Sequence, residues 1–217
     1  MNIAIDGPGG SGKSTIAKIL AKKLHFAYLD TGAMYRAIAY YALEKGADVA
    51  DEKTILPLLK DMEMKVWEEG GVQQVSVNGI NTTPYIRENR ISMAASTVSK
   101  IPAVRIKLVE LQREIASKTD CILDGRDIGS YVLPNADYKF YMTADSRVRA
   151  ERRRKELLEK GQDIPVEALQ EEIEKRDQQD KTRSFAPLVV CEDATVIDTT
   201  NMTIEEVTDR ICGIVCK

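Results

Sequence analysis

The stretch GPGGSGKS, Gly7 to Ser14, sets glycines, a lysine and a hydroxyl in the order G-x-x-x-x-G-K-S. Gly7, Gly9, Gly10 and Gly12, with Pro8 and Ser11 between them, let backbone amides turn inward around an anion. Lys13 can reach the β- and γ-phosphates of a nucleoside triphosphate, the Ser14 hydroxyl can ligate Mg²⁺, and Thr15 completes the candidate set. An apolar run ending in Asp6 precedes the loop, and Ile16, Ile19, Leu20 and Leu24 follow it at helical spacing. Strand, loop and helix are therefore expected, with the positive end of the helix at the phosphates. The same residues satisfy G-x-G-x-x-G through Gly7, Gly9 and Gly12, with Asp30 lying 18 residues beyond, the outline of a dinucleotide site. Such a site requires neither Lys13 nor Ser14, so a triphosphate is the better reading.

Phosphate-binding loops serve kinases, switches and motors alike. No N-K-x-D occurs and no D-x-x-G follows the loop, which argues against a guanine-reading switch. Instead, arginines stand beside turns: Arg36 after DTGAMY, Arg126 inside LDGRDIG, Arg176 and Arg183 in EKRDQQDKTR. The guanidinium fork suits phosphate oxygens. Asp124 ends the apolar run CIL, placing it at the carboxyl edge of an expected parallel strand, where open α/β sheets bind ligands. A further basic run, Arg147 to Lys155, holds six bases against the single acid Glu151. Within it Arg149, Arg152 and Arg153 recur at helical spacing and share a face. Like charge so concentrated invites an anion, and the run is expected to be a lid over the triphosphate, bounded by Gly161 and Pro165.

Short apolar runs suited to buried strands lie at Phe26–Leu29, Cys121–Leu123, Tyr138–Met142 and Thr195–Ile197, mostly separated by helical patterns. This alternation predicts a parallel sheet covered by helices. Thr203 with Glu206 three residues on is a capping box for a last helix. The segment Met62–Ile80 breaks the pattern and reads as an antiparallel hairpin turning at Gly70 and Gly71. With 217 residues, 43% of them hydrophobic and 30% charged, the chain can fill a core without staples. Its formal charge of −3 excludes a broad nucleic-acid surface but not a small phosphate pocket. Four scattered cysteines and a single histidine, His25, give a poor ligand supply for a Cys/His metal site and fit reduced thiols in a cytosol. Neither a leader nor a membrane span is expected, so the chain is read as cytoplasmic.

The opening loop, DTGAMYR at Asp30–Arg36, MAAS at Met93–Ser96 with the P-x-x-R ending at Arg105, DGRDIG at Asp124–Gly129 and KRDQQDKTRSFAPL at Lys175–Leu188 occur in order through nearly the whole chain. Together they resemble bacterial cytidylate kinases. Ser14 and Thr31 stand where some members carry Gly and Ser. The resemblance implies an α/β P-loop NTPase-type three-layer fold with a central parallel sheet. Its core would comprise 1–30, 104–146 and 166–217, with a nucleoside-monophosphate-binding region at 31–103 that bears the hairpin and a short lid at 147–165. It implies ATP with Mg²⁺ as donor and CMP or dCMP as acceptor. The short insertion and the absence of a heptad point instead from the residues to a monomer acting on free nucleotides, and the alternative readings are a kinase for UMP, another monophosphate or a small metabolite, or a nucleotide-dependent switch module. ATP would meet Gly7 to Thr15, Arg149 and Arg153. Lys13, Arg126, Arg152 and Arg183 would be catalytic. Arg36, Arg126 and Arg183 would hold the acceptor phosphate, with Thr31 and Tyr35 nearby. Ser96, Arg105 and either Asp124 or Asp127 would meet the cytosine edge, and Arg176 and Asp180 the sugar. Taken alone, Arg105 lies beside the stripe Val104, Leu108, Leu111, Ile115 and would read as a solvated flank.

Overall fold

The computed structural model describes residues 1–159 and 161–216; Lys160, inside the expected lid, and Lys217, at the end of the expected core, lie outside the described residues. In chain order the elements are β1 (Asn2–Asp6), α1 (Lys13–Leu24), β2 (Ala27–Asp30), α2 (Thr31–Glu44), α3 (Glu52–Lys60), β3 (Met64–Glu69), β4 (Val72–Val77), β5 (Ile80–Asn81), α4 (Asn89–Val98), α5 (Pro102–Lys118), β6 (Cys121–Gly125), β7 (Tyr138–Thr143), α6 (Ser146–Leu158), α7 (Val166–Thr182), β8 (Thr195–Asp198) and α8 (Ile204–Val215). A π-helical turn, Ile128–Val132, follows β6. The chain divides into two compact units, residues 1–28 with 119–217, and residues 29–118. The boundary expected at 103 falls inside α5, a continuous helix that belongs whole to the second unit.

The first unit is built on a five-stranded sheet in the order β2-β6-β1-β7-β8. β1 runs parallel to both β6 and β7, and β7 to β8. Ile3, Ala4 and Ile5 of β1 are wholly buried, as a central strand covered on both faces requires. One core joins Ile3, Ile5, Ile122, Phe140, Met142 and Ile197 of the strands to Ile16, Leu20 of α1 and Val207, Ile211, Val215 of α8. The capping box at Thr203 and Glu206 forms as the sequence predicts. A smaller apolar cluster, Ala150, Leu157 and Leu169 with Ile164, Val166 and Ile173, packs α6 against α7. Among the described residues no helix is long and apolar enough to cross a membrane.

In the second unit β3, β4 and β5 form an antiparallel sheet. The predicted hairpin turns at Gly70 and Gly71, both at positive φ, as a two-residue turn between right-twisted strands demands. β5 was not expected, being only two residues long. α2 begins at Asp30, whose carboxylate caps the amide of Ala33 at 2.8 Å. It buries Ala33, Met34, Ala37, Ile38 and Ala42, and Val75, Val77, Ile91, Val98 and Leu108 are among the buried apolar residues of β4, α4 and α5.

Candidate active site

The loop from Gly7 to Gly12 leaves the carboxyl end of central β1 and enters α1, whose N-cap Gly12 lies at φ 91°. Gly7, at φ 143°, passes so close to β7 that a Cβ there would stand 1.9 Å from the Met142 carbonyl oxygen. Only glycine fits, so the loop's path is fixed by its seat on the neighbouring strand. The Lys13 ammonium is buried and donates to the Pro8 carbonyl at 2.6 Å and to Ser11 Oγ at 3.3 Å. Burial, and then the charge of Arg126, hold its pKa well below the ordinary lysine value, against the opposing pull of Asp124 and Asp6. An anion in the loop would reverse that balance. Ser14 Oγ donates to Asp124 Oδ2 at 2.7 Å, and Thr15 is exposed.

Beside the loop, still in the first unit, the structure assembles the predicted Arg126, Asp127, Arg176, Asp180 and Arg183. Arg126 Nε donates to Asp180 Oδ2 at 2.9 Å, and its NH2 lies where a Cβ on Gly9 would come within 3.5 Å. Arg183 pairs with Asp127 at 3.4 Å and Asp180 at 3.7 Å, and its Nε donates to the Ala186 carbonyl at 2.7 Å. Burial alone would raise the Asp180 carboxyl, but Arg126, Arg176 and Arg183 together bring it below the usual aspartate value. This concentration of guanidinium groups, only partly balanced by two carboxylates, is suited to a phosphate. The i, i+3 spacing of Asp180 and Arg183 is thus part of a wider network than a helix-surface pair.

The basic run of α6 does not present one uniform face. Arg149 is buried: its Nε donates to Ala144 O at 2.9 Å, NH1 to Gly9 O at 3.0 Å, and NH2 pairs with Asp177 at 2.7 Å. It therefore props the phosphate loop from below. Arg152 donates to the Thr199 hydroxyl at 3.1 Å and carbonyl at 2.7 Å. Arg147, Arg153 and Arg154 pair with Glu167, Glu156 and Asp163. The charge count within the run missed these acids because they lie beyond its ends.

In the second unit Asp30 accepts from the Ala33 amide and pairs with Arg36 at 3.0 Å and Arg87 at 3.3 Å, while Gln73 Oε1 accepts from the Asp30 amide at 2.7 Å. The acid of the dinucleotide outline thus serves as the cap of α2 and the partner of two guanidinium groups. Thr31 is buried at the start of α2. Arg105 is 1% exposed, so it is no solvated flank: its guanidinium lies 5.3 Å from the Tyr35 ring centroid and donates to the Ser99 carbonyl at 3.4 Å. Ser96 is half-buried on α4, and its carbonyl accepts from Ser99 Oγ at 2.9 Å.

Sequence reasoning missed four residues that organise these groups. Asp6 is buried, and its carboxylate accepts from the amides of Ile128 at 2.8 Å and Gly129 at 2.7 Å, fastening the π-helical turn behind Arg126 and Asp127. Burial pushes its pKa up to about 6, although the Gly129 and Ile128 amides oppose the shift. Thr199 Oγ1 donates to Ser11 O and Thr143 O, both at 3.1 Å. Asp177 partners Arg149, and Tyr28 Oη donates to Asp124 Oδ1 at 2.8 Å. An acid between an apolar strand and a glycine loop was the one available signal, for Asp6; the others depend on long-range pairing.

Comparison with known proteins agrees with this geometry. The cytidylate kinase family profile matches residues 3–217. The chain is 48% identical over 217 residues to a cytidylate kinase of Caldicellulosiruptor bescii, covering 100% of this chain and 96% of that one. It is 48% identical over 215 residues to a cytidylate kinase of Halalkalibacterium halodurans, covering 99% and 97%. Among solved structures, a shikimate kinase from Bacteroides thetaiotaomicron superposes with a TM-score of 0.51 at 12% identity, covering 100% of this chain and 99% of that one, a likeness of fold.

Proposed function

The chain belongs to the cytidylate kinase family, and from that footing we propose that it transfers the γ-phosphoryl group of ATP to CMP or dCMP, giving ADP and CDP or dCDP. What supports the reading in the geometry is the Arg126, Arg183, Asp127 and Asp180 network set beside a Lys13-bearing phosphate loop within one unit. An oxygen of the acceptor phosphate attacks the γ-phosphorus and the bond to the β,γ-bridging oxygen breaks, so ADP leaves with the electron pair. The attacking oxygen is already anionic near neutral pH, so no strong general base is needed. The protein's work is alignment and charge neutralisation.

Roles follow for the chain's own residues. The amides of Gly7 to Ser14 and the Lys13 ammonium hold the donor phosphates, whose negative charge would offset the burial and the Arg126 charge that lower the Lys13 pKa. Arg149 serves ATP indirectly, through the Gly9 carbonyl. Arg152 and Arg153 act from α6 on the triphosphate. Arg36, Arg126 and Arg183 hold the acceptor phosphate, and Arg176 and Asp180 the sugar. Ser96, Arg105 and Asp127 read the cytosine edge, where a carboxylate accepts from the exocyclic amine that uracil lacks. Asp124 goes to the triphosphate side, because its oxygens already take the hydroxyls of Ser14 and Tyr28.

Ser14 and Asp124 fit Mg²⁺. Both offer hard oxygens, and the Ser14 proton is committed to the carboxylate. Among the described residues there is no group of three or more His, Cys, Asp or Glu side chains that could hold a metal by themselves. That suits a cation which keeps one or two protein oxygens and completes its shell with phosphates and water. Bound there with ATP, Mg²⁺ would neutralise charge on the phosphate oxygens. The chain is further proposed to act in the cytoplasm, as a monomer, on free nucleotides.

The test is ADP release by the purified protein with ATP and Mg²⁺, alone and with CMP, dCMP, UMP or AMP in turn. CMP and dCMP should stimulate release. Stimulation by AMP and not by CMP, or release indifferent to any monophosphate, would overturn the assignment.

A further inference from the structure

β2 and β6 are neighbours in the sheet; Asp124 is the next-to-last residue of β6, and Tyr28 is the second residue of the short β2. Asp124, 5% exposed, takes one hydroxyl on each oxygen: Tyr28 Oη donates to Oδ1 at 2.8 Å and Ser14 Oγ to Oδ2 at 2.7 Å. The two bonds do different work. Ser14 belongs to the phosphate loop, and by giving its proton to Oδ2 it keeps the lone pairs of Oγ for a cation. Tyr28 belongs to the sheet, where its half-buried ring packs against the main core and carries the Lys18 ammonium at 5.8 Å from its centroid. The terminal torsion of a carboxylate is broad, and each hydrogen bond from a fixed donor narrows it. A second hydroxyl from a rigid strand removes that freedom.

We propose that Tyr28 is a positioning residue for the metal-triphosphate half of the reaction: it locks the Asp124 carboxylate so that Ser14 keeps its proton turned to Oδ2 and its oxygen available to the divalent cation. The proposal rests on the reading of the loop as an ATP–Mg²⁺ site, and it is independent of the acceptor's identity. Tyr28 touches no reacting atom. Its contribution is felt only when a metal is present, which separates it from a residue that merely packs.

Tyr28→Phe removes the hydroxyl and keeps the ring in the core. Equilibrium binding of ATP, measured calorimetrically without any acceptor, should weaken about tenfold in Mg²⁺, the scale of one hydrogen bond to a charged group. Binding in EDTA should stay within about twofold, and KM for CMP should not move. Asp124→Asn should show the same Mg²⁺-selective loss, and the double variant should lose little more than either single one, since both break one linked array. Equal losses with and without Mg²⁺, no loss in either, or additive losses would overturn the proposal. If the wild-type protein bound ATP no better with Mg²⁺ than without, the metal reading itself would fall and this proposal with it. A failure of CMP phosphorylation alone would leave the binding result standing.

Discussion

Arg149 and Gly9 meet through one hydrogen bond, the guanidinium NH1 donating to the loop carbonyl at 3.0 Å, with Arg149 otherwise closed in by Asp177 and the Ala144 carbonyl. A basic residue in a charged run has become a strut. Breaking a buried ion pair by removing one partner costs about 3–5 kcal/mol, because the other charge is left in the interior. Arg149→Met should therefore lower Tm by about 6–15 °C for a chain of this size. Asp177 Oδ1 already lacks a hydrogen bond, so the pair is imperfect as it stands. The double variant Arg149→Met, Asp177→Leu should recover most of the lost Tm while ATP binding stays weak, as the Gly9 carbonyl remains unsupported. Thermal denaturation and ATP titration of both proteins check this; a double variant no more stable than the single would refute it.

Asp6 makes stability depend on pH in a predictable sense. Its folded pKa of about 6 exceeds the ordinary 3.8, so the native state holds the proton more tightly than the unfolded chain. That contribution is fully present below about pH 4 and is lost as pH rises through 6. The rise from 3.8 to about 6 corresponds to about 3 kcal/mol. The unfolding free energy of Asp6→Asn relative to wild type should swing in the variant's favour by about 2–3 kcal/mol between pH 4 and pH 7. Denaturant unfolding at both values measures it, and a pH-independent difference would contradict the assignment. The same variant should bind CMP less well, because one amide of the turn behind Arg126 loses its acceptor.

Lys13 carries the opposite shift. A lysine whose pKa falls on folding costs stability at neutral pH and returns it as pH climbs toward 10.5. Removing the charge should relieve that cost, and the Pro8 carbonyl keeps Ser11 Oγ as a donor at 3.0 Å. Lys13→Met should thus raise Tm of the nucleotide-free protein by about 2 °C or more while abolishing the stabilisation that ATP gives the wild type. A lower Tm without nucleotide would count against it.

Arg105 is charged and 1% exposed, which folding alone does not favour. Arg105→Leu should leave Tm within about 3 °C of wild type, raise KM for CMP about tenfold or more by removing a charged donor, and leave KM for ATP unchanged. A large fall in Tm with no change in KM would make Arg105 a structural residue only.

The phosphate loop, the strands, the hairpin and the capping box were legible because each is encoded locally: by glycine spacing, by short apolar runs, by a Gly-Gly turn, by a threonine and a glutamate three apart. Strand ends drifted by one or two residues where polar Asp30, Gly125, Thr143 and Asp198 continue a ladder that apolarity does not mark. What stayed hidden was pairing across the chain. The face shared by Arg149, Arg152 and Arg153 follows from helix geometry, yet whether each meets a carbonyl, a hydroxyl or an acid depends on Gly9, Thr199 and Glu156. Arg105 read as a flank because helical periodicity reports how many apolar residues share a face, and a buried cation needs Tyr35 and Ser99 to declare itself. Asp124 and Asp127 could not be told apart by spacing; in the structure Asp124 accepts from Ser14 and Tyr28, whereas Asp127 pairs with Arg183.

One backbone hydrogen bond has a bearing on how such a chain can change over time. The Ala27 amide donates to the Asp120 carbonyl at 2.9 Å, so the strand from which residues 29–118 depart and the strand to which they return are stitched together at the junction. A segment whose exit and re-entry are neighbours is a cassette: it can be lengthened, trimmed or exchanged for another without altering the register of the sheet that receives it. Such a change would leave the phosphate loop where Gly7 seats it against Met142.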